Sequence, residues 1–144
     1  MNPLLLIFLQ ILCYDLWFYA SHIILHSRIP YSKIHYKHHQ KSYVTLIFWD
    51  AYEGNHLEGI IQSAGLFVPY LVLDIPLSYL FIAGFITNFR GLMRHDDRST
   101  WLIGNHHLLH HKYPNYNFGE YWIDKMCGTL CPHTEEYIYG KIYI

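Results

Sequence analysis

The sequence predicts an all-α integral membrane protein: few transmembrane helices, with a helical cap outside the bilayer that carries most of the histidines. Three observations predict it. Two long apolar stretches, residues 3–24 and 60–89, each contain a single charge, Asp15 and Asp74. All ten Lys and Arg fall outside them, in one block from Arg28 to Lys41 and a second from Arg90 to Lys141. Twelve histidines are present, and nine of them lie within those same two blocks.

Each element follows in order. Residues 1–27 read as a membrane helix, apolar nearly all round over 3–20. At a rise of 1.5 Å per residue, residues 3–24 suffice to cross a hydrocarbon layer of about 30 Å. The helix is expected to run on to His26 and to stop before Pro30. No basic region precedes the apolar run and no clear small-residue cleavage site follows it, so it reads as a membrane helix and not as a removed signal. Residues 28–59 are polar, aromatic and histidine-rich. Residues 60–89 are long for one crossing and short for two. A single crossing would put the basic blocks on opposite sides of the membrane, against the tendency of positive charge to stay on one side. A membrane hairpin turning at Asp74–Pro76 keeps both blocks together. Residues 90–144 complete the part outside the bilayer, and the whole of 1–144 reads as one domain. The net charge of −1 leaves no basic footprint for nucleic acid. Cys13, Cys127 and Cys131 lack metal-site or disulfide spacing and read as small buried hydrophobes.

The chemistry lies in the histidines. His22 and His26 are spaced i, i+4, which puts both imidazoles on one helix face. Asp15 shares that face. A carboxylate in an apolar membrane helix needs a partner, and accepting the second ring N–H of a metal-bound imidazole is one such use. His35, His38 and His39 form an H-x-x-H-H motif; His107, His110 and His111 repeat it. On a helix, such a triplet converges on one side. His95 stands between the two motifs, followed by Asp96. Neutral imidazole suits Fe, Zn, Cu and Ni. A tetrahedral zinc needs three or four ligands, whereas His22, His26, His35, His38, His39, His95, His107, His110 and His111 supply nine, which argues for two metals. The paired Glu-x-x-His motifs of carboxylate-bridged di-iron bundles are absent, so any di-iron site here is dominated by histidine. His56, His106 and His133 stay outside the set. No catalytic residue separate from the metal ligands stands out; Asp15 and Asp96 are the candidates for supporting the ligands.

Together these motifs resemble the fatty acid hydroxylase / sterol desaturase superfamily of membrane di-iron enzymes. The residues that carry the resemblance are Asp15, Tyr19, His22 and His26 for a first histidine box, His35-Tyr-Lys-His38-His39 for a second, and His107-Leu-Leu-His110-His111 for a third, followed by Asn117-Phe118-Gly119 and Asp124 through Thr129. Within the superfamily, the C-5 sterol desaturases look most similar: His95-Asp96, Asn105, Tyr116-Asn117-Phe118-Gly119, Glu58-Gly59 and Gln62-Ser63 fit their pattern. The resemblance implies two irons per chain and oxidation of a lipid by O2. Electrons would come from NAD(P)H through a cytochrome b5-type donor. It implies a site facing the cytosol from the endoplasmic reticulum membrane, and a sterol or fatty acyl substrate. Desaturation of a sterol at C-5 is the leading expectation; fatty-acid or sterol-methyl hydroxylation, or an inactive membrane homologue, are the alternatives. A zinc hydrolase or transporter is disfavoured because no glutamate sits within the histidine clusters as a general base.

Overall fold

The computed structural model describes residues 2–142, and among them there is no strand. Helix α1 spans Pro3–Leu25. The Asn2 side chain caps it by accepting the Leu4 N–H at 2.9 Å, and Pro3 takes a first-turn position where a missing N–H costs nothing. The helix closes at His26, whose N–H still reaches the His22 carbonyl at 3.0 Å. Ser27 then turns extended, and Pro30 has no N–H to offer the His26 carbonyl, so the helix cannot run through it. Among the described residues, α1 is the one helix long and apolar enough to cross a membrane.

A helical run from Arg28 to His39 follows and changes pitch twice. α2 (Arg28–Pro30) is a single turn, Tyr31–His35 is a π turn and Tyr36–His39 is 3-10. The second H-x-x-H-H therefore does not lie on an α-helix, contrary to the simplest reading of its spacing. Short 3-10 turns at Tyr43–Thr45 and Phe48–Tyr52 then lead to α3 (His56–Ser63), capped by Asn55.

The 60–89 stretch doubles back on itself. α3 continues as a 3-10 arm over Ala64–Leu71, the chain turns, and α4 (Leu77–Arg94) returns. The first arm is not α-helical throughout because Pro69, inside it, withholds a donor. Both arms pack on α1. The 3-10 arm comes close to α1 at Gly65, where an added Cβ would lie 2.6 Å from Trp17 Cβ and 2.9 Å from Tyr14 Cα.

Three short helices build the cap: α5 (Thr100–Ile103), α6 (His106–Lys112) and α7 (Tyr121–Cys127). α7 ends on Gly128, whose φ of 72° is the left-handed value that glycine supplies without strain. The segment after it folds back, with Asn105 and Ile138 exchanging hydrogen bonds and Lys141 N–H donating to the Trp101 carbonyl. A buried ion cluster ties cap to helices: Arg90 bonds Asp15 of α1 and lies 3.2 Å from Glu120, which also accepts from Arg94.

Candidate metal centre

Nine histidines from four places in the chain converge as two groups. His22, His26, His35, His39 and His110 form one, and His38, His95, His107 and His111 the other; within each group the available ring nitrogens lie within 4.8 Å of one another. These are the nine histidines singled out by motif and spacing. His56 joins neither group, and His106 turns instead to Asp124, at 3.0 Å. His133 stands with Glu135 and Glu136 in a separate, partly exposed group, where Glu136 is already engaged by Lys112 and Tyr113.

Each H-x-x-H-H motif is divided between the groups. The second motif sends His35 and His39 to the first group and His38 to the second. The third does the reverse: His107 and His111, one helical turn apart on α6, go to the second group and His110 to the first. The end of α1 supplies His22 and His26 to the first group, and His95, at the end of α4, completes the second.

Four Nε2 atoms of the first group form a closed ring: His35–His26 at 2.9 Å, His26–His110 at 3.1 Å, His110–His39 at 3.2 Å and His39–His35 at 2.9 Å. His22 Nε2 stands 3.1 Å from that of His35. In the second group, His95 Nε2 is 3.1 Å from His38 Nε2 and 3.2 Å from His107 Nε2. Ring nitrogens this close together could share one ion, each at about 2.0–2.1 Å from it.

The second ring nitrogens explain why the first point inward as bare lone pairs. His22 Nδ1 donates to the Phe118 carbonyl at 2.5 Å, His110 Nδ1 to Tyr116 at 2.6 Å, His38 Nδ1 to Glu53 at 2.9 Å and His95 Nδ1 to Gly91 at 2.8 Å. A carbonyl can only accept, so each Nδ1 carries the proton and each Nε2 a free lone pair. Lone pairs of His38 and His95 therefore face each other at 3.1 Å with no proton between them. Such an arrangement is repulsive unless a cation sits among the nitrogens. Burial keeps these imidazoles neutral. It lowers His35 to about 4 and, with neighbouring imidazoles adding to it, His95 to about 3 and His39 to about 2. His107, His110 and His111 are pushed well below 6.5 for the same reasons. Both ring nitrogens of His111 are buried without a protein partner. The residues present thus fit two metal ions.

Asp15 and Asp96, expected to support the ligands, are placed elsewhere. Asp15 is drawn to Arg90, and Asp96 accepts from the backbone N–H groups of Phe48 and Arg98 and from the Arg98 guanidinium. Arginine satisfies a buried carboxylate more fully than one imidazole N–H can. The carboxylate that does reach the centre is Glu58, whose Oε1 lies 3.0 Å from His35 Nδ1. It lies 19 residues beyond the second motif, so no local spacing pointed to it; its only signal was the Glu58-Gly59 match to the family pattern.

A second tier holds the carbonyls. Asn117 is fully buried, with φ of 59°. Its side chain donates to the His106 carbonyl and accepts from Cys131 N–H and Tyr137 OH, at 2.7–3.0 Å. Asp124, also fully buried, accepts from the N–H groups of Phe118 and Gly119, both at 2.9 Å. These bonds fix residues 116–119, and with them the acceptors for His22 and His110.

Comparison with known proteins places this geometry in context. A family model described as fatty acid hydroxylase matches residues 7–129, a span that contains all nine histidines. The chain is 30% identical over 119 residues to a Delta(7)-sterol 5(6)-desaturase of Schizosaccharomyces pombe; the match covers 74% of this chain and 37% of that relative. The chain therefore spans little more than a third of the relative's length. No solved structure matches it.

Proposed function

The chain belongs to the fatty acid hydroxylase family, and on that premise we propose that it is a membrane-bound di-iron oxidoreductase that desaturates or hydroxylates a lipid, with sterol C-5 desaturation the leading activity. The observation that carries this reading is the convergence of nine neutral histidines as two groups of closely spaced ring nitrogens. Histidine-held iron supplies the O2-dependent oxidation of an unactivated C–H bond. In the balance of a desaturation, two hydrogens from the lipid, two electrons and two protons reduce O2 to two waters. The electrons come from NAD(P)H through a cytochrome b5-type donor.

The protein's own part is to bind, orient and exclude water. His22, His26, His35, His39 and His110 hold one iron, and His38, His95, His107 and His111 the other. The Phe118, Tyr116, Glu53 and Gly91 carbonyls set the tautomer and the ring direction. Phe18, Leu66 and Leu92 line a cavity beside the histidines and give the lipid an apolar wall.

Exposed apolar surface supports the membrane arrangement in this reading. Leu77, Phe81, Phe85 and Phe89 form an outward stripe on α4, spaced four residues apart, and Leu71 and Val72 at the hairpin turn are more than three-quarters exposed. Such a surface suits lipid and not water. α1 crosses, the hairpin inserts beside it, and both basic blocks and the histidine centre stay on the cytosolic face of the endoplasmic reticulum. The sterol assignment draws on the fission-yeast relative.

The test is iron and product together. Purified protein, reconstituted without oxygen, is expected to hold two irons per chain and to restore the sterol product in a host lacking sterol C-5 desaturase. His110→Ala is expected to abolish turnover. Less than about one iron per chain in the unsubstituted protein would sink the di-iron reading.

A further inference from the structure

The two groups of histidines are not backed alike. Behind His22, His110, His38 and His95 stand backbone carbonyls, which carry no net charge. His35 is different: Glu58 Oε1 lies 3.0 Å from its Nδ1. Among the described residues, no other carboxylate comes within 4.0 Å of a ring nitrogen of the nine. His35 is also the hub of its group. It is fully buried, and its Nε2 lies 3.1 Å from that of His22 and 2.9 Å from those of His26 and His39.

Glu58 passes over a local role to make this contact. Asn55 caps α3 and Glu58 stands three residues on, the spacing of a capping box, in which the glutamate reaches back to the N–H of the cap residue. Here the Asn55 side chain accepts the Leu57 N–H at 3.0 Å, but the Glu58 carboxylate turns to His35. It is buried, with Oε2 packed against Gly54 and without a partner. Its ion-pair partner is an imidazole and not a lysine or arginine. A buried carboxylate so placed lacks a full countercharge. A cation held by Nε2 of the same ring supplies one.

We propose that Glu58 is a positioning residue, which sets a negative charge behind His35 and so gives iron in the five-histidine group a lower reduction potential than iron in the four-histidine group. The inference rests on the reading of the chain as a di-iron oxidoreductase and adds to it an inequality between the two ions. Ferrous iron that becomes ferric gains one positive charge, and the electron leaves towards O2. A buried anion behind a ligand ring favours the more positive ion and makes the ring a stronger base. A neutral carbonyl does so less. The cavity divides the groups in the same sense. It is bordered by His38, His95 and His107 of the four-histidine group but by His22 alone of the five. The ion facing the lipid is thus the stronger oxidant, and the ion that yields its electron first stands behind it.

The experiment is a redox titration of the iron-loaded full chain followed by Mössbauer spectroscopy. The unsubstituted protein is expected to oxidise in two separate steps, the first at the component that His26→Ala depletes. Glu58→Gln keeps the shape of the side chain and removes its charge. It is expected to retain both irons and to raise the lower potential by on the order of tenfold in the one-electron equilibrium, about 59 mV, with the upper potential nearly unchanged. Glu58→Asp keeps the charge and should keep most of the separation. A single step in the unsubstituted protein, first oxidation at the other component, or potentials in Glu58→Gln that stay put or move together would overturn the proposal. The first two outcomes need no variant at position 58, so they decide the matter even if Glu58→Gln sheds its iron. If the two potentials converge in Glu58→Gln but no lipid is oxidised with the donor present, the role of Glu58 stands and the proposed function fails. If lipid is oxidised and Glu58→Gln leaves both potentials in place, the reverse holds.

Discussion

His22 and His110 lie 88 residues apart in the chain, yet their Nδ1 protons go to carbonyls two residues apart, Phe118 and Tyr116. One short loop thus aims two ligands of the same group. Asn117 holds that loop from inside, in a left-handed conformation that asparagine tolerates better than most residues. Asn117→Ala would keep the backbone demand and leave the His106 carbonyl, the Cys131 N–H and the Tyr137 hydroxyl without their partner. The expected cost is about 2–4 kcal/mol in denaturant unfolding, from several buried bonds lost together. Iron bound by the five-histidine group should fall more than iron bound by the other, read as the loss of one of two Mössbauer components. Equal loss of both would show that the loop acts on the fold alone. The family resemblance marked Asn117-Phe118-Gly119, but not that this loop aims two ligands. A carbonyl acceptor leaves no mark in a sequence, whereas metal-ligand side chains at i, i+3 and i+4 do, which is why the nine histidines were visible and the atoms that aim them were not.

At the scale of elements, α1 depends on close contact with the 3-10 arm. Gly65→Ala would drive a Cβ against Trp17 Cβ and the Tyr14 backbone. Backbone cannot swing aside as a flexible side chain can, so the arm must shift, at about 1–3 kcal/mol. The check is the thermal midpoint in detergent; a midpoint equal to that of the unsubstituted protein would show that the arm moves freely. The same arm marks a limit of sequence reading. Apolar composition and the Asp74–Pro76 turn signal reveal the doubling back, but Pro69 and the Gly65 contact set the 3-10 pitch. Likewise H-x-x-H-H suggested one α-helical face for each motif, which holds for α6. In the second motif the π and 3-10 turns re-aim the rings. Pitch changes of this kind cluster at functional sites because they direct side chains that a regular helix would scatter.

Across the whole molecule, many neutral imidazoles are gathered in a poorly hydrated interior. Their folded values lie below the ordinary 6.5, so on acidification the unfolded chain takes up protons first. The sign is therefore clear: for the metal-free protein, stability is fully present above about pH 6.5 and declines as pH falls towards 4 and below. Metal should be lost over the same window, because protons compete for the same lone pairs. Iron retention and circular dichroism followed from pH 8 to pH 4 test this. Stability that stays flat from pH 8 to pH 4 would show that the histidines are solvated and not packed as described.

The division of each H-x-x-H-H motif between the two groups has a further consequence, for the order in which the centre fills. An ion entering either group pins both the His35–His39 run and α6, and these two elements carry most of the other group's donors. The first ion thus meets the ordering cost for the second, and a half-filled protein is the least favoured species. Titration of ferrous iron into the metal-free chain should be sigmoidal, passing from none to two with little of the one-iron form. Two independent hyperbolic steps would mean that the shared helices are already rigid before any ion arrives.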